Sequence, residues 1–307
     1  MEYLYLAIAR AVGGLKAYAM KTAGRRAPGP RNALIINLFR SVICLAVSLA
    51  VWCFSGFGTT DAMGNLLVLI SGIGNAVNLY FWIRSSGVVS LCLLEVFVMI
   101  GTVLVPIMIS PALFPGESIT TCQIIGCAAL LVAVLIFASQ EKVFEKGKFG
   151  KSITVILLCT LGSAITVITQ KAYNYYISAK DLGGIPYFNL GTFLVVFLVF
   201  ALVIGVKRVV EVRGVKASDS NVDAADEKTS IGKVWYLVVI AAVSLYIYQY
   251  FITLAATLDS AIYYPMSYIL GMIATMVVDL FVFKEKMTVK KAIGFVFVFG
   301  ALILINL

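Results

Sequence analysis

Apolar residues in this chain come in long, nearly unbroken runs, without the spaced polar positions of a helix that has one wet face. A helix needs about 20 mostly apolar residues to cross a bilayer. Ten such runs follow one another, near 3–21, 33–54, 64–83, 87–109, 119–139, 152–173, 185–206, 234–257, 260–283 and 288–306. A soluble helical core would need polar helix faces that these runs lack. The pattern therefore predicts an all-α integral membrane protein with ten transmembrane helices. Breaker residues punctuate it. Arg25-Arg26-Ala27-Pro28-Gly29-Pro30 closes the first run, Ser110-Pro111 and Phe114-Pro115-Gly116 the fourth, and Gly183-Gly184-Ile185-Pro186 opens the seventh. Pro106 and Pro265 fall inside runs, where a missing backbone donor kinks a helix. Connections are short except at 207–233, where Asp219, Ser220, Asn221, Asp223, Asp226, Glu227 and Lys228 make a solvated loop.

Composition agrees. The 307 residues are 61% hydrophobic and 13% charged, against roughly 25% charged in a soluble domain. The net charge of +9 would suit nucleic acid on a water-facing surface. Here the bases sit between apolar runs, so the expected partner is the lipid bilayer and not nucleic acid. Histidine is absent, which removes His metal sites, His general bases and Ser-His or Cys-His dyads. Cys44, Cys53, Cys92, Cys122, Cys127 and Cys159 all lie in apolar runs without a CxxC pair, and read as small packing residues. No metal or cofactor is expected. No H-E-x-x-H, G-x-S-x-G or paired intramembrane aspartates appear either, so the chain does not read as an enzyme. The N-terminal Met-Glu-Tyr-Leu-Tyr lacks a basic region, and no cleavable signal peptide is expected.

The Lys and Arg residues are distributed unevenly. Of 24, nineteen fall in the loops after runs 1, 3, 5, 7 and 9. Two, Lys171 and Lys180, fall on the opposite side, and Arg10, Lys16 and Arg40 lie within runs. Basic residues favour the cytoplasmic side of short loops, which places both termini outside the cytoplasm, with a bacterial cytoplasmic membrane as the expected location.

The chain also divides into two similar halves: a first five-helix repeat over 1–140, a connecting loop over 141–151, and a second repeat over 152–307 that carries the polar loop. Near the end of the first half stand Gly116-Glu117-Ser118-Ile119-Thr120 and then Gln123-Ile124-Ile125-Gly126; near the end of the second, Lys284-Glu285-Lys286-Met287-Thr288 and then Ala292-Ile293-Gly294. Five helices per half is an odd number, so the two copies run in opposite senses across the membrane, as inverted repeats in secondary transporters do. This twice-used pattern resembles the drug/metabolite transporter superfamily, in particular its EamA-like branch, over essentially the whole chain. The resemblance implies a carrier of amino acids, sugars, nucleotide sugars or other metabolites, with termini in the cytoplasm, opposite to the orientation that the basic residues give. The last helices also resemble a small multidrug resistance protein, and that likeness puts a substrate-facing tyrosine at Tyr264. The coupling glutamate of those proteins stands eight residues before a lysine. Here those positions are Gly13 before Lys21 and Ser163 before Lys171, which disfavours a proton-coupled exporter of cationic drugs.

Polar side chains inside hydrocarbon face a partner or a cavity. Helical spacing groups Ser71, Asn75, Asn78 and Trp82; Ser163, Thr166, Gln170 and Asn174; Tyr246, Gln249, Tyr250 and Thr253; and Tyr264, Tyr268, Gly271 and Thr275. Each stripe is either interhelical hydrogen bonding, worth about 0.6 kcal/mol per contact, or the wall of a substrate site. Among charges, Lys16 and Asp279 are shallow enough to snorkel. Arg40 and Glu95 lie deeper and must pair, and Arg10 lies near the middle of its helix. The candidate substrate-binding set is Arg10, Asn75, Asn78, Glu95, Gln170, Asn174, Gln249, Tyr264 and Tyr268. Arg10 offers a planar fork for a carboxylate or phosphate, unless it serves to neutralise Glu95, and Glu95 is the candidate proton carrier.

The reading is a secondary transporter of a small, anionic organic metabolite, working by alternating access. The alternatives are a non-transporting membrane receptor or scaffold, and a cationic-drug exporter. The charge asymmetry predicts that a tag on either terminus is cleaved by protease added outside intact cells and that a tag within 207–233 is protected. A protected terminal tag reverses the orientation.

Overall fold

The computed structural model describes residues 1–86, 91–116, 118–138, 149–177, 184–212, 232, 234–258, 260–284 and 288–306. Most of the 207–233 loop and of the 141–151 connection lies outside the described residues, as do Glu117, Lys180 and Glu285-Lys286-Met287 of the repeated pattern. Ten helices account for the rest. They are α1 (Glu2–Arg26), α2 (Pro30–Phe54), α3 (Ala62–Ser86), α4 (Leu91–Leu113), α5 (Thr121–Ala138), α6 (Phe149–Tyr176), α7 (Ile185–Val212), α8 (Trp235–Ala255), α9 (Ser260–Val282) and α10 (Val289–Asn306). No strand occurs among the described residues. In lipid the helix is the only open segment that satisfies its own backbone groups, so apolar runs of this length become helices.

Seven helices, α2, α3, α4, α6, α7, α8 and α9, are long and apolar enough to cross a membrane. Helices α5 and α10 contain shorter apolar stretches, Thr121–Ala133 and Ala292–Ile305. Helix α1 is 25 residues long but carries Arg10, Lys16 and Lys21. The burial pattern is that of a multi-pass membrane protein, inside-out relative to a soluble one. Leu135, Leu202, Phe281 and Val296 point outward, each about 70% exposed or more, whereas Lys21, Arg40, Asn189 and Gln170 are buried. Outward apolar side chains cost nothing against lipid; inward polar ones escape it.

The fourth helix corrects one expectation. It runs past 109 and through Ser110-Pro111, the first of its two expected breakers, and stops at the second, with Leu113 its last residue and Phe114 as its cap. A π-helical turn at Ile100–Leu104 precedes Pro106. Such a turn shifts the hydrogen-bond register and absorbs a missing donor. Helix α9 carries a second π-turn, Val278–Val282, at its end.

The principal helix pairings are α3 with α6, α1 with α8, α5 with α10, and α2 with α7. Further pairings are α3 with α7, α2 with α8, α1 with α9, and α4 with α6. Small residues let the backbones meet. A Cβ on Gly162 of α6 would lie 2.5 Å from the backbone nitrogen of Asn78 and 2.7 Å from the carbonyl oxygen of Gly74 on α3. On the opposite pair, a Cβ on Gly126 of α5 would lie 2.7 Å from the Ala301 carbonyl of α10. These contacts draw α1, α3, α4, α6, α8 and α9 around one central space.

Candidate functional site

The central cavity encloses about 650 Å³ of non-atom space, part of it open to the outside. Helix α1 contributes Arg10 and Lys16, and α3 contributes Asn75, Asn78, Leu79 and Trp82. Glu95, Val98 and Thr102 come from α4. Ser163, Thr166, Val167 and Gln170 come from α6, Leu245, Tyr248 and Gln249 from α8, and Tyr268 from α9. Seven of the nine sequence candidates therefore share one wall. Asn174 and Tyr264 do not line it. The Asn174 amide donates to the Thr253 carbonyl, binding α6 to α8. Tyr264 is buried, with its ring 5.1 Å from that of Tyr263 and 5.8 Å from Lys171 Nζ. The tyrosine of α9 that reaches the cavity is Tyr268, one turn further on.

The lining residues are not equally available. Asn78 donates to the Cys159 carbonyl at 3.3 Å and to Ser163 Oγ, so it is part of the α3–α6 contact. Ser163 and Thr166 return their hydroxyl protons to their own helix, at Cys159 and Gly162. By contrast, the amide nitrogens of Asn75, Gln170 and Gln249 are buried in the wall with no hydrogen-bond partner. Buried polar groups are normally paired, and three unpaired amides on one cavity mark a place where a ligand or water completes them.

Arg10 donates through Nε to Ser267 Oγ at 2.8 Å and through a terminal nitrogen to the same oxygen, and its guanidinium carbon sits 5.3 Å from the centre of the Tyr248 ring. Lys16 does not snorkel. Its ammonium faces the cavity, 4.3 Å from the same ring. Glu95 lies in the field of Lys16 and Arg10, with the Trp82 indole beside it. It forms no ion pair within 4.0 Å with either base: the ion pairs among the described residues are Met1–Glu2 and Lys21–Asp279. Arg40, expected to need a partner, finds the side-chain oxygen of Asn37 at 2.5 Å, and Asn37 in turn donates to the Leu79 carbonyl.

Sequence reasoning missed Lys16 and Tyr248 as lining residues, and it missed the Lys21–Asp279 pair. Lys21 counted as a loop residue and Asp279 as a snorkelling one. They meet at 3.0 Å with side-chain exposures of 0% and 2%, joining α1 to the π-turn of α9. A signal was present: two opposite charges, each a turn or so inside a helix end. With Lys21 and the buried Lys171 removed, the loop asymmetry of bases goes from nineteen against two to eighteen against one.

Among the described residues no group of three His, Cys, Asp or Glu side chains is placed to hold a metal ion. No protein-family model and no curated protein matches the chain. A solved structure described only as "Crystal structure of protein" superposes with a TM-score of 0.63, over 99% of this chain and 98% of that one, at 16% identity. Likeness at that identity shows a shared fold and no more.

The buried ion pair generates a stability prediction. Removing one partner strands a charge away from water, at a cost of about 3–5 kcal/mol. Asp279→Asn is expected to lower the thermal unfolding midpoint in detergent markedly, whereas Lys21→Met combined with Asp279→Leu recovers most of the loss. Equal damage from the double variant would mean that the pair does more than neutralise itself.

Proposed function

We propose that the chain is a secondary transporter of a small organic metabolite, built as two inverted five-helix repeats that alternate access to the central cavity. One observation carries the reading. The cavity is lined by α1, α3 and α4 and by α6, α8 and α9, and the second set is the first with five added to each number. The helix pairings obey the same rule. Adding five turns α3–α6 into α8–α1, α3–α7 into α8–α2, and α1–α9 into α6–α4, and it returns α5–α10 and α2–α7 to themselves. A site at the junction of two related halves lets one half rock against the other around a bound ligand. The resemblance to EamA-like carriers points the same way, and both termini lie outside the cytoplasm in this proposal.

Glu95 is the proposed proton-carrying group, being the carboxylate of the cavity wall. Arg10 holds the wall of α1 against α9 through Ser267, a role that needs no ion pair with Glu95.

Reconstituted proteoliposomes loaded in turn with labelled amino acids, nucleotides and sugars test the proposal. Saturable, protein-dependent flux of at least one class is expected, with Glu95→Gln keeping exchange but losing accumulation driven by a pH gradient. Binding of a ligand without flux in any class would favour a receptor, and full gradient-driven uptake in Glu95→Gln would remove Glu95 from coupling.

A further inference from the structure

Resting on the reading of the central cavity as a ligand site, we infer that its ligand is a small organic monoanion and that Lys16, not Arg10, receives the anionic group. Three observations converge. First, the donors are in excess. Asn75, Gln170 and Gln249 line the cavity, and each has a buried amide nitrogen without a partner. Lys16 adds an ammonium that makes no hydrogen bond or ion pair with the described residues; it sits 4.3 Å from the centre of the Tyr248 ring and in the field of Glu95. Second, Arg10 is committed in part. Two of its nitrogens hold Ser267 Oγ, and its remaining terminal nitrogen lies against Gly271, where a Cβ would stand 3.0 Å away. Third, the wall carries two cations, Arg10 and Lys16, against one carboxylate, Glu95. With Glu95 ionised one positive charge is left over, which a single negative charge balances. In surroundings of low dielectric that balance is worth far more than in water.

The remainder of the wall describes the rest of the ligand. Trp82, Tyr248 and Tyr268 supply aromatic faces, and Val98, Val167 and Leu245 supply apolar ones. A compact hydrophobic body carrying one carboxylate fits this lining. With Glu95 ionised a dianion overfills the charge, and a cation would face Arg10 and Lys16.

Equilibrium binding to the purified full chain in detergent tests this, read by thermal shift and by titration calorimetry. The probes are benzoate, phenylacetate, phenylpyruvate and hexanoate, each of the four beside its neutral primary amide, together with succinate and phenethylamine. At least one monocarboxylate is expected to bind, at least tenfold tighter than its amide and than succinate or phenethylamine, in keeping with a hydrogen bond to a charged group. Lys16→Gln is expected to weaken that probe about tenfold or more, and Lys16→Arg to keep most of the affinity. Lys16→Gln is checked for folding by its unfolding midpoint without probe. Should it fail to fold, the carboxylate–amide comparison on the wild-type chain decides alone. Amide binding as tight as the acid, tighter binding of phenethylamine or succinate, silence of all four monocarboxylates, or undiminished affinity in folded Lys16→Gln each overturns the inference. Because no gradient is involved, the result is separable from transport. Anion binding without flux keeps the ligand class and removes the carrier, and flux of a neutral or cationic solute without anion binding does the reverse.

Discussion

Everything in this structure follows from the absence of water around the helices. A polar group that faces hydrocarbon has no partner there, so it must find one inside the protein or open onto an internal cavity. The chain meets that constraint in graded ways. Thr160, Ser163, Thr166 and Thr275 return their hydroxyl protons to their own helix one turn back. Asn78 and Asn174 spend their amides on backbone carbonyls of neighbouring helices. Lys21 and Asp279 neutralise each other. Of the buried polar atoms left without a protein partner, the amide nitrogens of Asn75, Gln170 and Gln249 belong to residues of one cavity wall, which also carries Lys16.

That concentration is also what the packing permits. Glycine lets α3 and α6 approach until a single Cβ on Gly162 would clash with backbone. A separate approach, of α1 to α9, is closed by Gly14, where a Cβ would stand 3.2 Å from that of Ala274. Close contacts on the periphery of the six central helices leave the space between them unfilled. The same helices carry the charges, so the cavity wall receives two bases and one acid. None of these three closes an ion pair with the described residues.

The number and order of helices were legible because apolar run length is a one-dimensional signal. All ten expected runs correspond to helices, with ends displaced by a few residues. The helix passes through Pro111 because it ends only two residues later, at Leu113. The polar stripes were legible too, since spacings of three and four put Asn75 with Asn78 and Gln170 with Thr166 on one face. What the spacing cannot tell is which stripe faces a cavity and which faces a neighbour. Asn174 continues the face of Gln170 yet spends its amide on the Thr253 carbonyl, and Tyr264 shares a face with Tyr268 yet is buried beside Tyr263. Lys16 was misread for a related reason. Depth along a helix suggested snorkelling, but the direction of the side chain depends on where α8 places Tyr248, a relation across more than two hundred residues.

The central claim is that a solvated cavity between two related halves is reached from alternate sides of the membrane. Replacing the six native cysteines and introducing Thr102→Cys on the cavity wall gives a reporter for a membrane-impermeant maleimide, applied to either face of oriented vesicles. The account predicts labelling from both faces, with a bound ligand speeding one rate as it slows the other. Labelling confined to one face under every condition would contradict alternating access and leave a cavity with a single fixed mouth.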